Sequence, residues 1–279
     1  QTCSWRAAME GSSFANYMLP IGIADFVIQW IGCGIAVALH TEKYYDLTGS
    51  LTFFLLTFAA LASGDSFRSN GIHIRQLDLS AMVLIWCSRL GLFLFMRIQE
   101  AGEDKRFRKA KQKPALMLLF WSVQGLWILL TAMPMFVTNS LPASELPEFG
   151  VCDAVGLALW CFGFGLEVMA DHQKNLFRRK KDKPHPWIES GVWSWSRHPN
   201  YLGEMLLWIG ASISALGSFS VLSWLEIGLI LLSPTFVCFL LLRVSGIPLL
   251  ERAADKRWRD EAAYKAYKER TACLIPGLY

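Results

Sequence analysis

The amino-acid sequence predicts an all-α, polytopic membrane bundle of about seven transmembrane helices, with a further helix at the C-terminal end. Three observations carry this expectation. The chain has 279 residues, of which 53% are hydrophobic and 12 are tryptophan, and its mean hydropathy is positive; that is too apolar for a soluble domain of this size. Seven segments approach or exceed the roughly 17–25 apolar residues that one spanning helix needs. Finally, lysine and arginine are distributed unequally between the loops that those segments define.

In chain order the spans are Tyr17–Leu39, Ser50–Ser63, Leu79–Ile98, Ala115–Thr138, Gly150–Ala170, Tyr201–Leu216 and Val221–Leu250. The second is short for a span, and the last carries Pro234, where a kink or break is expected. An odd number of spans puts the termini on opposite sides. Twenty-one Lys/Arg then fall in loops on the C-terminal side, against Arg6, Arg68 and Arg75 on the other, with Arg89, Arg97 and Arg243 inside or at the edge of spans. By the positive-inside rule the C-terminal side is cytosolic, stromal or matrix-like, which suits an endoplasmic reticulum or organelle membrane. A basic face of this kind serves membrane headgroups or a phosphate-bearing cofactor equally well.

One domain is expected, since the polar stretches are short and no repeat is present. Seven scattered cysteines, Cys3 among them, read as packing residues, and the five histidines lack ligand spacing, so no metal is expected. A nucleic-acid partner is not expected either. The tail from Glu251 has helical composition, ended by Pro276 and Gly277.

Charged residues inside spans cost on the order of 3 kcal/mol at a helix centre. Asp25, Arg89, Asp153, Glu167, Glu204, Glu226 and Arg243 accumulate there, and Arg89 is expected to face inward with a partner. Glu167, Asp171, Lys174 and Arg178 recur at helical spacing, so they share one stripe that could line a polar cavity. The stretch "SRHPNYLGE", Ser196 to Glu204, places Pro199 where it fits the first turn of a helix. Arg197 and His198 stand just outside that positive end, and Asn200 and Glu204 share a face just within it. The pattern is that of a ligand pocket with an anion-seeking rim. No G-x-G-x-x-G follows a strand, and "GFGLEV" lies within a span.

"GVWSWSRHPNYLGEMLLWIG", preceded by "EVMADHQKNLFRR" and followed by "SGIPLLERAADKRW" and "YKAYKERTACLIP", resembles the steroid 5-alpha-reductase-like family, especially its large uncharacterised branch. "RLGLFLFMRIQEAGEDKRF" fits that branch too, so the likeness covers Trp86 to Pro276. The resemblance implies a seven-span enzyme that uses NADPH to reduce a carbon–carbon double bond conjugated to a carbonyl in a lipid drawn from the bilayer. It places Asp171, Lys174, Arg178, Arg197, His198, Asn200, Tyr201 and Glu204 around the cofactor, with Arg252, Lys256 and Tyr267 of the tail near its phosphates. It also places Trp86 where the steroid enzymes have a catalytic tyrosine. An indole is no ordinary proton donor, so Tyr45 (or Tyr44) with Glu42 could take that part, beside Glu204; "EKYYD" reads equally as an interfacial aromatic belt. Two alternatives stay open. "RHPNYLG" and the tail also resemble isoprenylcysteine carboxyl methyltransferases, which use S-adenosylmethionine, and the chain could be a non-catalytic subunit of a larger membrane complex.

Overall fold

A lipid interior offers the backbone no water, so each N–H and C=O must be paired within its own segment, and helix does this. The computed structural model describes residues 2–63 and 71–278, with side chains from residue 14 onward apart from those of 101 and 105. Arg68 therefore lies outside the described residues, as do the side chains of Arg6 and Cys3. Helix dominates, and no strand occurs among the described residues. The α-helices are α1 (Thr2–Ala38), α2 (Tyr45–Ser63), α3 (Ile74–Ala101), α4 (Pro114–Thr131), α5 (Met133–Ser140), α6 (Val151–Arg179), α7 (Pro199–Ala215), α8 (Trp224–Phe239), α9 (Ile247–Trp258) and α10 (Ala262–Arg270).

Six stretches are long and apolar enough to cross a membrane: Phe14–Ala38, Tyr45–Ser63, Ile74–Glu100, Pro114–Thr131, Val151–Arg179 and Trp224–Trp258. The protein is a polytopic helical membrane bundle, as its composition predicts. Helix α7, with 17 residues, stands at the lower edge of spanning length. The second span is longer than the sequence suggested, because helix begins at Tyr45 and gives 19 residues.

Two other spans differ from expectation, each for a backbone reason. The fourth is divided at Ala132, since Pro134 at the start of α5 has no N–H to continue the ladder. Met135 N–H turns to the Ala132 carbonyl, and the Thr131 carbonyl is served instead by the Ser233 hydroxyl at 2.6 Å. The last span does not break at Pro234, which lies inside α8. It breaks after a π-helical turn over Leu240–Val244, at Ser245 and Gly246. There the chain doubles back so tightly that a Cβ on Gly246 would lie 2.4 Å from the Leu241 carbonyl oxygen. Pro248 then starts α9.

The chain forms two compact units, Gln1–Asp153 with Ser214–Ser233, and Ala154–Ile213 with Pro234–Tyr279. In the first, α2 packs on α3, and α1 packs on α2, α4 and α5. Phe53, Trp86 and Trp127 meet there with centroids 5.1–5.9 Å apart, so Trp86 is a fully buried packing residue. Arg75 and Asp153 form a buried fork, Nε to Oδ1 at 2.6 Å and Nη2 to Oδ2 at 2.7 Å. The remaining guanidinium donors reach the carbonyls of Pro147 and Glu148 and the Ser218 hydroxyl, each at 3.1 Å. Arg89 is half-buried and lies over the ring of Phe93. Glu226 accounts for its own burial as half of a capping box with Ser223 at the start of α8.

In the second unit α6 and α7 touch through their backbones. A Cβ on Gly203 would lie 2.5 Å from the Gly163 carbonyl, and one on Gly210 would lie 2.6 Å from that of Gly156. Small residues seven apart on α7 thus face a matching pair on α6, the close-approach packing that bilayer helices favour. This contact fixes where the C-terminal end of α6 and the entrance of α7 stand.

Candidate functional site

The second unit holds a half-open cleft of about 400 Å³, within the range typical of small-molecule sites. Its elements are the end of α6, the loop after it, the Arg197–His198 entrance to α7, one face of α9, and α10. The loop "DKPHPW" runs through successive bends at Pro184 to Trp187, and Trp187 sits at the centre of an aromatic cluster. His185 stacks on Trp187 with centroids 4.8 Å apart and planes 5° from parallel. Tyr264, Trp258 and Tyr267 surround the same indole at 5.2, 5.7 and 6.3 Å. Trp187 is 7% exposed, yet its Nε1–H has no hydrogen-bond partner among the described residues. A buried donor left this way favours an incoming acceptor oxygen.

Electrostatics point the same way. Lys174, Arg178, Lys183, Arg197 and Arg257 line the cleft, and Glu251 is the one acid that does so among the described residues. That acid is already engaged. Its Oε1 accepts from Arg197 Nε at 3.2 Å and lies 2.9 Å from His198 Nε2; its Oε2 accepts from Arg197 Nη2 at 3.1 Å and faces Lys268 Nζ at 3.1 Å. Arg197 Nη1 continues to the carbonyls of Lys268 and Thr271 at 3.1 and 2.6 Å, and its backbone N–H reaches Ala272 at 2.9 Å. Glu251 is therefore the knot that ties the α7 entrance to α9 and α10.

Burial lowers the pKa of His198; Glu251 opposes the shift, and Lys174 and Arg197 reinforce it. A neutral imidazole donating Nε2–H to Glu251 fits that environment. Burial also raises the hydroxyl pKa of Tyr264 and Tyr267, which keeps both as neutral donors. Ligating atoms of His198, Glu251 and Cys273 fall within 4.8 Å of one another. With Arg197 and Lys268 on both carboxylate oxygens, this trio is a poor cation site.

The structure brings together Lys174, Arg178, Arg197, His198 and Tyr267 of the expected cofactor residues. The others stand elsewhere. Arg252 and Lys256 are exposed on the far face of α9, and the cation that faces the cleft is Arg257. Asp171 is buried on α6 a turn before Lys174, while Asn200, Tyr201 and Glu204 are half-buried in the first turns of α7; none of the four lines the cleft. Of Asp171, Arg178, Asn200 and Glu204, Arg178 alone lines this cleft.

Tyr45 and Glu42 both make structural contacts. Tyr45 Oη donates to the Phe120 carbonyl at 3.0 Å, with Phe107 and Trp121 packed edge-on against its ring. Glu42 is buried, accepts the Asp104 N–H at 2.8 Å and pairs with Lys111 at 2.9 Å. Glu251, Trp187, Lys183 and Arg257 were the residues that sequence reading missed. The available signals were a lone acid directly after the last span and a tryptophan directly after a pair of prolines.

Comparison with known proteins now decides the family. The family described as "Protein of unknown function (DUF1295)" matches residues 32–271, which include every cleft residue. This chain belongs to the DUF1295 family. An uncharacterised protein of Schizosaccharomyces pombe is 26% identical over 232 residues, 72% of this chain and 66% of that protein. The protein-S-isoprenylcysteine O-methyltransferase of Saccharomyces cerevisiae is 32% identical over 76 residues, 25% of this chain and 32% of that enzyme. The DUF1295 chain thus spans slightly under two thirds of the first relative and about one third of the second. No solved structure matches it.

Proposed function

We propose that this DUF1295 protein is a membrane-embedded, NADPH-dependent reductase of a conjugated carbon–carbon double bond in a lipid such as a sterol or isoprenoid. One observation carries the reading: a cleft with five cations and one fully engaged carboxylate surrounds an aromatic cluster whose buried indole N–H is unpartnered. A dinucleotide carrying an extra phosphate matches that charge, and its base matches the aromatic faces. Lys174, Arg178, Lys183, Arg197 and Arg257 would hold the phosphates, and Trp187 would give its Nε1–H to one acceptor oxygen. The cofactor, when bound, supplies a hydride. The chain's own task is then to orient it, keep water from it and exclude competing anions.

The second reading is S-adenosylmethionine-dependent methyl transfer, favoured by the local identity to the yeast methyltransferase and by the affinity of aromatic clusters for sulfonium-like cations. Five cations around the cleft argue against a positively charged ligand. Purified protein in lipid nanodiscs, supplied with an enone lipid, separates the two. NADPH oxidation coupled to loss of the enone supports the reductase. Methyl transfer to an isoprenylcysteine substrate without NADPH oxidation overturns it. A non-catalytic role within a larger membrane complex predicts neither turnover, and co-purification with that complex.

A further inference from the structure

A buried acid lies in the first unit, independent of the cleft. Asp25 falls near the midpoint of the Phe14–Ala38 span, about 16 Å of helix from one end and about 20 Å from the other at 1.5 Å per residue, and a short aspartate cannot snorkel that distance. It has no measurable exposure. Its Oδ1 lies 3.5 Å from Gln29 Nε2, a marginal contact, and its Oδ2 has no partner among the described residues. The Gln29 amide donates its stronger bond to the Thr52 hydroxyl at 3.0 Å, and Thr52 passes its own proton to the Thr48 carbonyl at 2.8 Å.

Apart from the marginal Gln29 Nε2 contact, Asp25 has no hydrogen-bond donor among the described residues. Gln29 Oε1 and Gln124 Oε1 are buried and unpartnered among the described residues, with the Gln124 Nε2 spent on the Tyr45 carbonyl at 3.0 Å. Gly125 keeps this place open, since a Cβ there would lie 3.2 Å from Asp25 Oδ2 and 3.3 Å from Gln29 Cγ. No positive charge is at hand among the described residues. Helices α4 and α5 contain no titratable residue. The described side chains of α1 add Tyr17 and Cys33, and α2 adds Tyr45 and Asp46 at its first turn. Among the described side chains of α1, α2, α4 and α5, every titratable group is therefore an acid. An ionised carboxylate here would have no counterion among the described residues and a single marginal donor, a state whose cost a protein avoids by neutralising the group.

We propose that Asp25 is an intramembrane proton-binding site: its carboxyl is neutral in the folded protein and Oδ2 carries the proton toward a glutamine side-chain oxygen. The ligand is the proton itself, bound where acceptors outnumber donors. The site stands whether or not the cleft binds NADPH, because no cleft residue contributes to it.

Infrared spectra of the full chain in lipid nanodiscs at neutral pH test this. The wild-type minus Asp25→Asn difference should show one protonated-carboxyl C=O stretch, unchanged by sodium chloride, and Gln29→Leu should shift that band. A difference containing only carboxylate bands overturns the proposal, as does a protonated band that sodium removes, which would make the ligand a metal cation. If Asp25→Asn fails to fold, wild-type protein carrying carboxyl-13C aspartate gives the same reading: a label-shifted protonated band supports the site, and label-shifted carboxylate bands alone overturn it.

Discussion

Asp153 in the first unit and Glu251 in the second are both acids held by an arginine from elsewhere in the chain, and they differ in what surrounds the pair. Around Asp153, Arg75 spends its donors on one buried carboxylate, a buried hydroxyl and two part-buried carbonyls. Around Glu251, Arg197, His198 and Lys268 converge on one carboxylate at the wall of a cleft where further cations outnumber acids. The first cluster is closed, so it fixes architecture. The second holds its own members together and leaves a positive surface facing the opening, and that surplus is what a ligand would meet. Burial of charge alone therefore does not mark a site; several cations lining one cleft beside a single acid do.

The sharpest way to break the contrast is at the closed pair. Arg75→Ala strands Asp153 in the interior and should lower stability by about 3–5 kcal/mol, read as a large fall in thermal midpoint. Arg75→Met with Asp153→Leu should recover much of that loss, because no uncompensated charge remains. If Arg75→Ala is silent, the pair is not structural.

Next comes the cleft. Arg257→Ala and Lys183→Ala should each weaken nucleotide binding roughly tenfold, in line with a charge-assisted contact of about 1.5–3 kcal/mol. Arg252→Ala and Lys256→Ala, on the far face of α9, should leave it unchanged. Equal losses from both pairs would mean that general surface charge, not the cleft, holds the nucleotide. Tyr45→Phe removes one hydrogen bond and should cost about 1 kcal/mol of stability with turnover intact; abolished turnover in a folded variant would restore Tyr45 to catalysis.

The smallest effect is one of pH. The depressed pKa of buried His198 means that the unfolded chain takes up this proton more readily than the folded one. Its linked stability is complete above the ordinary histidine value of about 6.5 and declines as pH falls below it. Thermal midpoints of His198→Asn measured across that interval should show a shallower acid decline than wild type.

Much of this was legible in the sequence because it rests on local rules. Spans follow from apolar length, Pro199 marks the start of α7, and the spacing of Lys174 and Arg178 puts both on one face of α6. What escaped depends on tertiary facts. Which tail cation faces the cleft depends on the phase of α9, and that phase is set by the break at Gly246. Trp187 reads as one aromatic among many until Tyr264 and Tyr267 fold against it. Tyr45 and Glu42 were plausible chemistry on a line of text; their protons and lone pairs are spent on Phe120, Asp104 and Lys111, three partners far away in sequence.

The central claim is that the surplus positive charge of the second unit binds the phosphates of a nucleotide. Equilibrium titration of purified protein with 2′,5′-ADP, a fragment carrying the phosphates without the nicotinamide, tests it most directly. The account predicts saturable binding that weakens as salt rises and is lost in the Lys183→Ala, Arg257→Ala double variant. Binding that ignores both salt and the double substitution, or no binding beside clear binding of S-adenosylhomocysteine, would contradict it.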